Sequence, residues 1–208
     1  MKNFSDYKNI IWDFDGVIID SSEIRIYAFQ KMLKNYPMEM VDELIDFHKK
    51  NDGLSRYVKI DHFFSNILHQ KINNKKRDSL LKEFGKICLK KLNNKGLLIN
   101  ETLKFIANNH SEKNFHIASG SDNFELNTLC LYLDLVAFFN SINGSPEAKK
   151  DIVARIIFEN SYSTKETCLI GDSVNDYDAA IFNKIQFFAF NNIKLKKENK
   201  GIYLDQLS

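Results

Sequence analysis

Asp13 and Asp15 lie two residues apart in the segment IIWDFDGVIIDSSE, directly after an apolar run that is typical of a buried strand. Burying a charged group is costly unless the charge is paired or bound to a metal. Side chains at i and i+2 of a strand point the same way, and α/β proteins place ligands where such strands end. Gly16 allows a sharp turn there. The pair indicates a metal-associated nucleophile with a neighbouring acid/base; the alternative is two turn carboxylates that cap the next helix.

A second acidic strand end occurs in CLIGDSVNDYDAA, where Asp172 and Asp176 follow an apolar run. Carboxylates four residues apart on a strand-to-helix turn can converge on one hard cation. Mg²⁺ prefers oxygen ligands and is typically held by one or two carboxylates and a substrate phosphate. A helix N-cap is again the alternative, but two acidic strand ends in one sheet favour a cation site.

A third strand end, FHIASGSDN, carries Ser119 and Gly120. A hydroxyl beside free backbone N–H groups at the start of a helix forms an anion site. Ser121 or Asp122 is suited to cap that helix.

Lys149 and Lys150 open a further helical segment, NGSPEAKKDIVARII. The helix dipole disfavours positive charge at this end, so a lysine here suggests a nearby anion, although a lysine pair at a helix start is usually solvated. Residues 152, 153 and 156 form an apolar face that favours Lys149 as the inward lysine. The pattern leaves the choice between the two open.

These residues lie in a chain that alternates strand-like and helix-like segments. Such alternation predicts an α/β fold with a doubly wound parallel sheet covered on both faces. The strand-like segments are NIIWDFD, NFHIAS, AFFNSI, TCLIGD and IQFFAF. The tail, residues 191–208, is weakly patterned and is expected to be mostly solvated.

Only helical patterns occur between the first two strands. Residues 20–93 contain four segments with apolar residues at helical spacing, which is too much chain for one crossover helix. We therefore predict an all-helical cap over residues 20–93, inserted into a core of residues 1–19 and 94–208. Its hinges are expected near residues 18–21 and 92–97.

Composition excludes several classes of protein. The 208 residues carry a net charge of +2, without the basic footprint of a nucleic-acid-binding protein. No apolar run reaches the ~20 residues that span a bilayer, and the first residues show no signal-peptide pattern. The three cysteines fit neither a disulfide framework nor a zinc site. We expect a cytoplasmic protein. The sequence does not fix the oligomeric state, and a monomer is the simplest expectation.

Taken together, the motifs resemble those of the haloacid dehalogenase superfamily of phosphohydrolases. DFDGVIIDS is similar to its first motif, IAS to its second, a lysine of KK to its third and GDSVND to its fourth. The resemblance covers residues 8–19 and 97–190. The usual proline-rich sequence after the lysine is absent. The helical insertion resembles the small cap of the phosphoglycolate phosphatase and β-phosphoglucomutase branch.

The resemblance implies a role for each acidic residue. Asp13 is expected to be the nucleophile that forms an aspartyl-phosphate, and Asp15 the acid/base. Mg²⁺ would be bound by Asp13, the Asp15 backbone carbonyl and Asp172. Asp176 would bind it directly or through water.

The resemblance also implies a phosphate subsite and a class of reaction. Ser119, Gly120 and Lys149 are expected to hold the phosphoryl oxygens. The expected substrate is a small phosphorylated metabolite, namely a sugar, polyol or glycolate-type phosphate monoester. The leaving group is not fixed by the sequence.

Two positions in the insertion bear on specificity. Gly53 and Arg56, in NDGLSRYVK, are similar to a substrate-specificity loop in which an arginine reaches an anion or hydroxyl; the alternative is an exposed arginine at a helix start. Related mutases carry a histidine five residues after the aspartate at Asp20, whereas this chain has Arg25. Hydrolysis is therefore favoured over a phosphomutase, and a non-catalytic binding module is disfavoured because Asp13 and Asp15 are both present.

Overall fold

The computed structural model describes residues 3–207; residues 1, 2 and 208, which the sequence analysis assigns to the core, lie outside the described residues. A six-stranded sheet with the order β3-β2-β1-β4-β5-β6 forms its centre, and all neighbouring strands are parallel. The strands are β1 (Asn9–Trp12), β2 (Asn114–Asp122), β3 (Ser141–Ser145), β4 (Thr167–Gly171), β5 (Gln186–Phe190) and β6 (Ile202–Leu204). The predicted doubly wound α/β fold is confirmed.

The helices fall into an inserted group and a core group. Between β1 and β2 lie α1 (Ser22–Met32), α2 (Met38–Lys50), α3 (Arg56–His62), which continues into a π-helical turn (Phe63–Ile67), and α4 (Asn74–Leu92). The core group comprises α5 (Asn100–Asn109), α6 (Asn123–Tyr132), α7 (Lys149–Glu159), α8 (Val174–Phe182) and α9 (Ile193–Lys197). Within residues 3–207, every helix is too short or too polar to cross a bilayer.

Both faces of the sheet are covered because successive strand side chains point to opposite sides. On one side, Trp12 of β1 packs 5.8 Å from the Phe105 ring of α5. On the other, Ile11 joins an apolar cluster with Ile152 of α7 and Ala180 of α8. The four residues of β1 are all buried, and the last three are apolar, which is typical of a strand that is covered on both faces. This strand fixes the position of the residues that follow it.

The insertion leaves and re-enters the core through two chain segments that run side by side. The Asp20 N–H donates to the Leu97 carbonyl (2.8 Å), and the Ile99 N–H donates to the Ile18 carbonyl (2.9 Å). These bonds join the two connections in an antiparallel pair. They fall close to the expected hinges, while the domain limits at 20 and 93 stay a prediction.

One predicted strand is displaced along the chain. The apolar segment AFFNSI, residues 137–142, was expected to be a strand, but Val136–Phe138 form a 3₁₀ turn and β3 begins only at Ser141. The strand SINGS lies at the edge of the sheet and is largely polar. Apolar periodicity therefore misplaces it.

The tail is mostly exposed over residues 191–207, as expected, but it also contains regular structure that the sequence pattern did not indicate. Residues 193–197 form α9, and residues 202–204 pair with β5 as the outer strand β6. Leu195, Leu204 and Leu207 are buried against the core. A three-residue edge strand is too short to produce an alternating pattern that can be recognised in the sequence.

Candidate active site

The ends of β1 and β4 lie side by side in the middle of the sheet, where the strand order reverses direction. This is the position at which open parallel sheets bind ligands. Asp13 directly follows β1, and its N–H donates to the Ile170 carbonyl of β4 (2.9 Å). One carboxylate oxygen from each of Asp13, Asp172 and Asp176 lies within 4.8 Å of the others. The fold thus brings together two acidic segments about 160 residues apart in the sequence.

Lys149 is the lysine that joins this cluster. Its ammonium lies 2.8 Å from the Asp13 carboxylate and also pairs with Asp176. Lys150 is exposed, and its ammonium lies 5.0 Å from the centre of the Phe182 ring. The apolar face of α7 turns Lys149 inward and leaves its neighbour outside, as the helical spacing favoured.

The charges of the cluster are not balanced by the protein alone. Burial and the nearby Asp176 carboxylate raise the pKa of Asp13 to about 8, and burial and Asp13 raise the pKa of Asp172 well above its usual value. Burial opposes ionisation of Lys149, yet Asp13 and Asp176 raise the pKa of its ammonium. One ammonium faces three carboxylates, and a set of oxygen donors with excess negative charge fits a hard divalent cation.

Asp15 lies in a different environment from Asp13. The guanidinium of Arg25 lies 3.1 Å from its carboxylate, and the hydroxyls of Ser21 and Ser121 donate to it. Burial by itself would raise the pKa of Asp15, but the Arg25 charge and the two hydroxyls lower it. Two neighbouring carboxylates whose pKa values are shifted in opposite directions are suited to two different chemical roles.

A cavity of about 50 Å³ separates the strand ends from the inserted helices. Every predicted site residue lines it except Lys149 and Asp176, which lie beyond its wall. Ser119 is buried at the end of the regular part of β2, where its hydroxyl accepts a hydrogen bond from the Ser121 N–H (3.0 Å). The carboxylates, the serine and the insertion thus line one shared cavity.

A model of the haloacid dehalogenase-like hydrolase family matches residues 10–190 of this chain. The chain belongs to that family. The expected family assignment is thereby confirmed, and the match includes the acidic strand ends, Ser119, Lys149 and the whole helical insertion.

Solved structures share the fold of this haloacid dehalogenase-like hydrolase. A predicted phosphoglycolate phosphatase from Haemophilus somnus is 14% identical over 99% of this chain and 96% of its own, with a TM-score of 0.77. The β-phosphoglucomutase of Clostridium difficile is 15% identical over 97% and 92%, with a TM-score of 0.76. YfnB of Bacillus subtilis, a HAD-hydrolase solved with magnesium, is 15% identical over 97% and 95%, with a TM-score of 0.71. No curated protein sequence matches the chain.

A buried glutamate that the sequence analysis missed ties the insertion of this hydrolase to its core. Glu125 of α6 pairs through one oxygen with Arg25 and through the other with Arg56. Arg56 also lies 3.1 Å from Asp122, whose side chain caps α6 by accepting from the Glu125 N–H (3.0 Å). An acidic residue three positions after a helix cap is a common capping pattern, so sequence gives no signal for the contact with two arginines.

Arg56 is buried in the hydrolase and does not project into solvent. Its side chain is only 9% exposed, which excludes the exposed helix-start arginine considered above. Its Nε is buried and has no hydrogen-bond partner within the described chain from residue 3 to residue 207. Arg56 lines the cavity, and its role in substrate recognition stays a prediction.

Gly53 and Gly120 let the insertion approach the core closely. The Gly53 carbonyl accepts from the Asn175 side chain (2.9 Å), and a Cβ at Gly53 would lie 2.3 Å from the Ser173 hydroxyl oxygen. A Cβ at Gly120 would lie 2.4 Å from the Gly53 carbonyl oxygen. Side chains at either position would force the loop before α3 away from the strand ends.

Proposed function

We propose that this chain is a Mg²⁺-dependent phosphoric monoester hydrolase that acts on a small phosphorylated metabolite through an aspartyl-phosphate. The sugar, polyol and glycolate-type phosphates remain the expected substrates. The observation that carries the proposal is the buried cluster of Asp13, Asp172 and Asp176 with Lys149, next to an Asp15 with separate partners. Family membership supports a phosphatase-type enzyme.

Asp13 is the proposed nucleophile. Its oxygen attacks phosphorus in line, so that a bond to the aspartate forms while the bond to the leaving oxygen breaks. Lys149, 2.8 Å from the Asp13 carboxylate, Ser119 and the backbone at Gly120 bind the phosphoryl oxygens as charge develops on them. The inserted helices exclude water from the cavity while the ester is cleaved.

Asp15 is the proposed proton carrier in both half-reactions. As an acid it must hold a proton for the leaving oxygen, whereas the pairing with Arg25 favours its ionised form. Asp15 therefore has to move away from Arg25 before it donates. In the second half-reaction the ionised form is the one that accepts a proton from water, so the Arg25 contact favours hydrolysis of the phosphoenzyme.

Asp13, Asp172, Asp176 and the Asp15 backbone carbonyl are the groups that would hold Mg²⁺. The ion supplies positive charge that offsets the carboxylates and the phosphoryl oxygens, so that an anionic nucleophile can approach an anionic ester. The shifted pKa values of Asp13 and Asp172 support this assignment, because carboxylates with too little positive charge around them retain their protons.

Removal of Mg²⁺ tests the proposal. Excess chelator should abolish phosphate release, and added Mg²⁺ should restore it. Without metal, the pKa of Asp13 is raised to about 8, and that of Asp172 is raised as well. The folded protein then holds protons that the unfolded chain has released, so the free energy of unfolding of the metal-free protein falls as the pH rises from ~4 toward 8. Because protons compete with the metal, Mg²⁺ should raise the melting temperature more at pH 8 than at pH 6. Full activity in chelator would overturn the mechanism.

The reaction product separates a hydrolase from a phosphomutase. Arg25 stands where the mutases carry a histidine, and in the structure it binds Asp15. We expect release of inorganic phosphate from a sugar monophosphate without any sugar bisphosphate activator. The measurement is phosphate assay and NMR of the sugar products in one reaction. Isomerisation with little phosphate released would favour the mutase.

A further inference from the structure

The loop after β5 lies at the same edge of the sheet as the two acidic strand ends. β5 pairs with β4 on the side away from β1, and Asn191 and Asn192 directly follow its last residue. The sequence analysis gives neither asparagine a role, because asparagine after a strand is typical of a turn. In the structure, both side chains reach back to the loops that carry the acidic cluster.

Each asparagine holds the backbone of a different loop. The Asn192 amide donates to the Asp172 backbone carbonyl (2.6 Å), and the Asn191 amide donates to the Gly16 backbone carbonyl (3.0 Å). Gly16 follows Asp15, whose own carbonyl is one of the groups proposed to hold Mg²⁺. Two adjacent residues therefore link the two acidic loops from outside, although β4 separates β5 from β1.

The local backbone presents both amides to these loops. The side-chain oxygen of Asn192 accepts from the Lys194 N–H (3.1 Å) and caps α9, which leaves its NH₂ group for the Asp172 carbonyl. Asn191 has a φ of +57°, a left-handed conformation that asparagine adopts more readily than most residues. The turn and the cap thus set the direction in which each amide donates.

The two acidic loops lie close together where these bonds act. Gly16 has a φ of +76°, and a Cβ there would lie 2.0 Å from a carboxylate oxygen of Asp172. Both residues line a cleft of about 640 Å³ between the core and the insertion, so open space adjoins the loops on this side. Repulsion between Asp13 and Asp172 favours their separation, and the two hydrogen bonds to the loop backbones oppose it.

We propose that Asn191 and Asn192 are positioning residues that fix the two acidic loops at the separation a divalent cation requires. They act through the backbone carbonyls of Gly16 and Asp172 and do not touch the reacting atoms. The inference rests on the proposed function, because the cation is the proposed Mg²⁺. Replacing residues that orient metal ligands without touching the metal typically lowers metal affinity by about 10–100-fold.

Mg²⁺ binding to the protein without substrate tests the inference. Asn192→Ser keeps an oxygen that can cap α9 but is too short to reach the Asp172 carbonyl. Asn191→Gly removes the other amide, and glycine accepts the positive φ. In titration calorimetry, the Kd for Mg²⁺ should rise by about tenfold or more in each variant. Phosphate release should then need more Mg²⁺, and saturating Mg²⁺ should restore most of kcat.

Asn73→Ser is the matched control. Asn73 caps α4 by accepting from the Lys76 N–H (2.9 Å), and it lines neither the cavity nor the cleft. This variant changes a helix cap in the same way as Asn192→Ser, so it should keep the wild-type Kd for Mg²⁺. The melting temperature in chelator checks that each variant is folded, because a less stable protein that is still folded binds with an unchanged Kd.

Several results would contradict the inference. Unchanged Mg²⁺ affinity in both asparagine variants would overturn it, and so would an equal loss in Asn73→Ser. If Asn192→Ser does not fold, Asn191→Gly decides alone, since Asn191 is exposed. A wild type that binds Mg²⁺ but hydrolyses no phosphate ester would contradict the proposed function, and the Kd values would still decide the inference. A wild type that binds no Mg²⁺ would overturn both.

Discussion

We expect the Asp13→Asn variant to release phosphate more slowly than the wild type, by a factor on the order of 10⁴ or more. The reason is that an amide cannot form the acyl phosphate that the pathway requires. The change keeps the shape of the side chain and removes one of three crowded carboxylates. Steady-state phosphate release measures the loss, and acid quench of a reaction with ³²P-labelled ester should trap no phosphoenzyme.

Folding and a matched variant control for this result. The raised pKa of Asp13 shows that its charge is unfavourable in the metal-free fold, so Asp13→Asn should melt no lower than the wild type in chelator. Asp46→Asn changes an exposed aspartate on α2 and should retain full activity. Near wild-type turnover by Asp13→Asn would show that another group attacks phosphorus.

The second large effect is expected at Lys149. Lys149→Met removes the ammonium that pairs with Asp13 and Asp176 and leaves buried carboxylates without a protein cation. Breaking a buried ion pair from one side destabilises by about 3–5 kcal/mol, so urea unfolding in chelator should show a loss of this size. Phosphate release should also fall, by about 10²–10³-fold, as it does when a donor to transition-state charge is removed.

Lys150→Met is the control for that experiment. Its ammonium lies against the Phe182 ring at the surface, so the change should alter activity and stability little. If the two substitutions had equal effects, the losses would come from a weakened first turn of α7. The ion pairs of Lys149 in the site would then not explain them.

Strand ends and helix faces could be predicted from local pattern. The apolar run before Asp13 and the one before Asp172 each end at a carboxylate, and parallel strands put such ends at one edge of the sheet. The apolar face of α7 favoured Lys149 over its neighbour for the same local reason. These inferences need only the periods of a strand and a helix.

Contacts between distant elements could not be predicted in this way. Glu125 belongs to a common helix-capping pattern, and only the packing of α6 against the insertion shows that it pairs with Arg25 and Arg56. Lys59 shares the short helix α3 with the charged residues Arg56 and Asp61, and its burial depends on how α2 and α3 pack. The edge strand β3 was misplaced by four residues because it is largely polar, and β6 was missed because it has only three residues.

The paired connections at Asp20 and Leu97 also matter for how such a protein changes length during evolution. Because the two chain segments are hydrogen-bonded in antiparallel fashion, the core is in effect joined there by a hairpin whose loop is the whole helical insertion. The entropy of closing a loop rises only with the logarithm of its length. Helices can therefore be gained or lost beyond this hairpin at small cost to the sheet, so the insertion can diverge while the strand ends that carry the acidic cluster are kept.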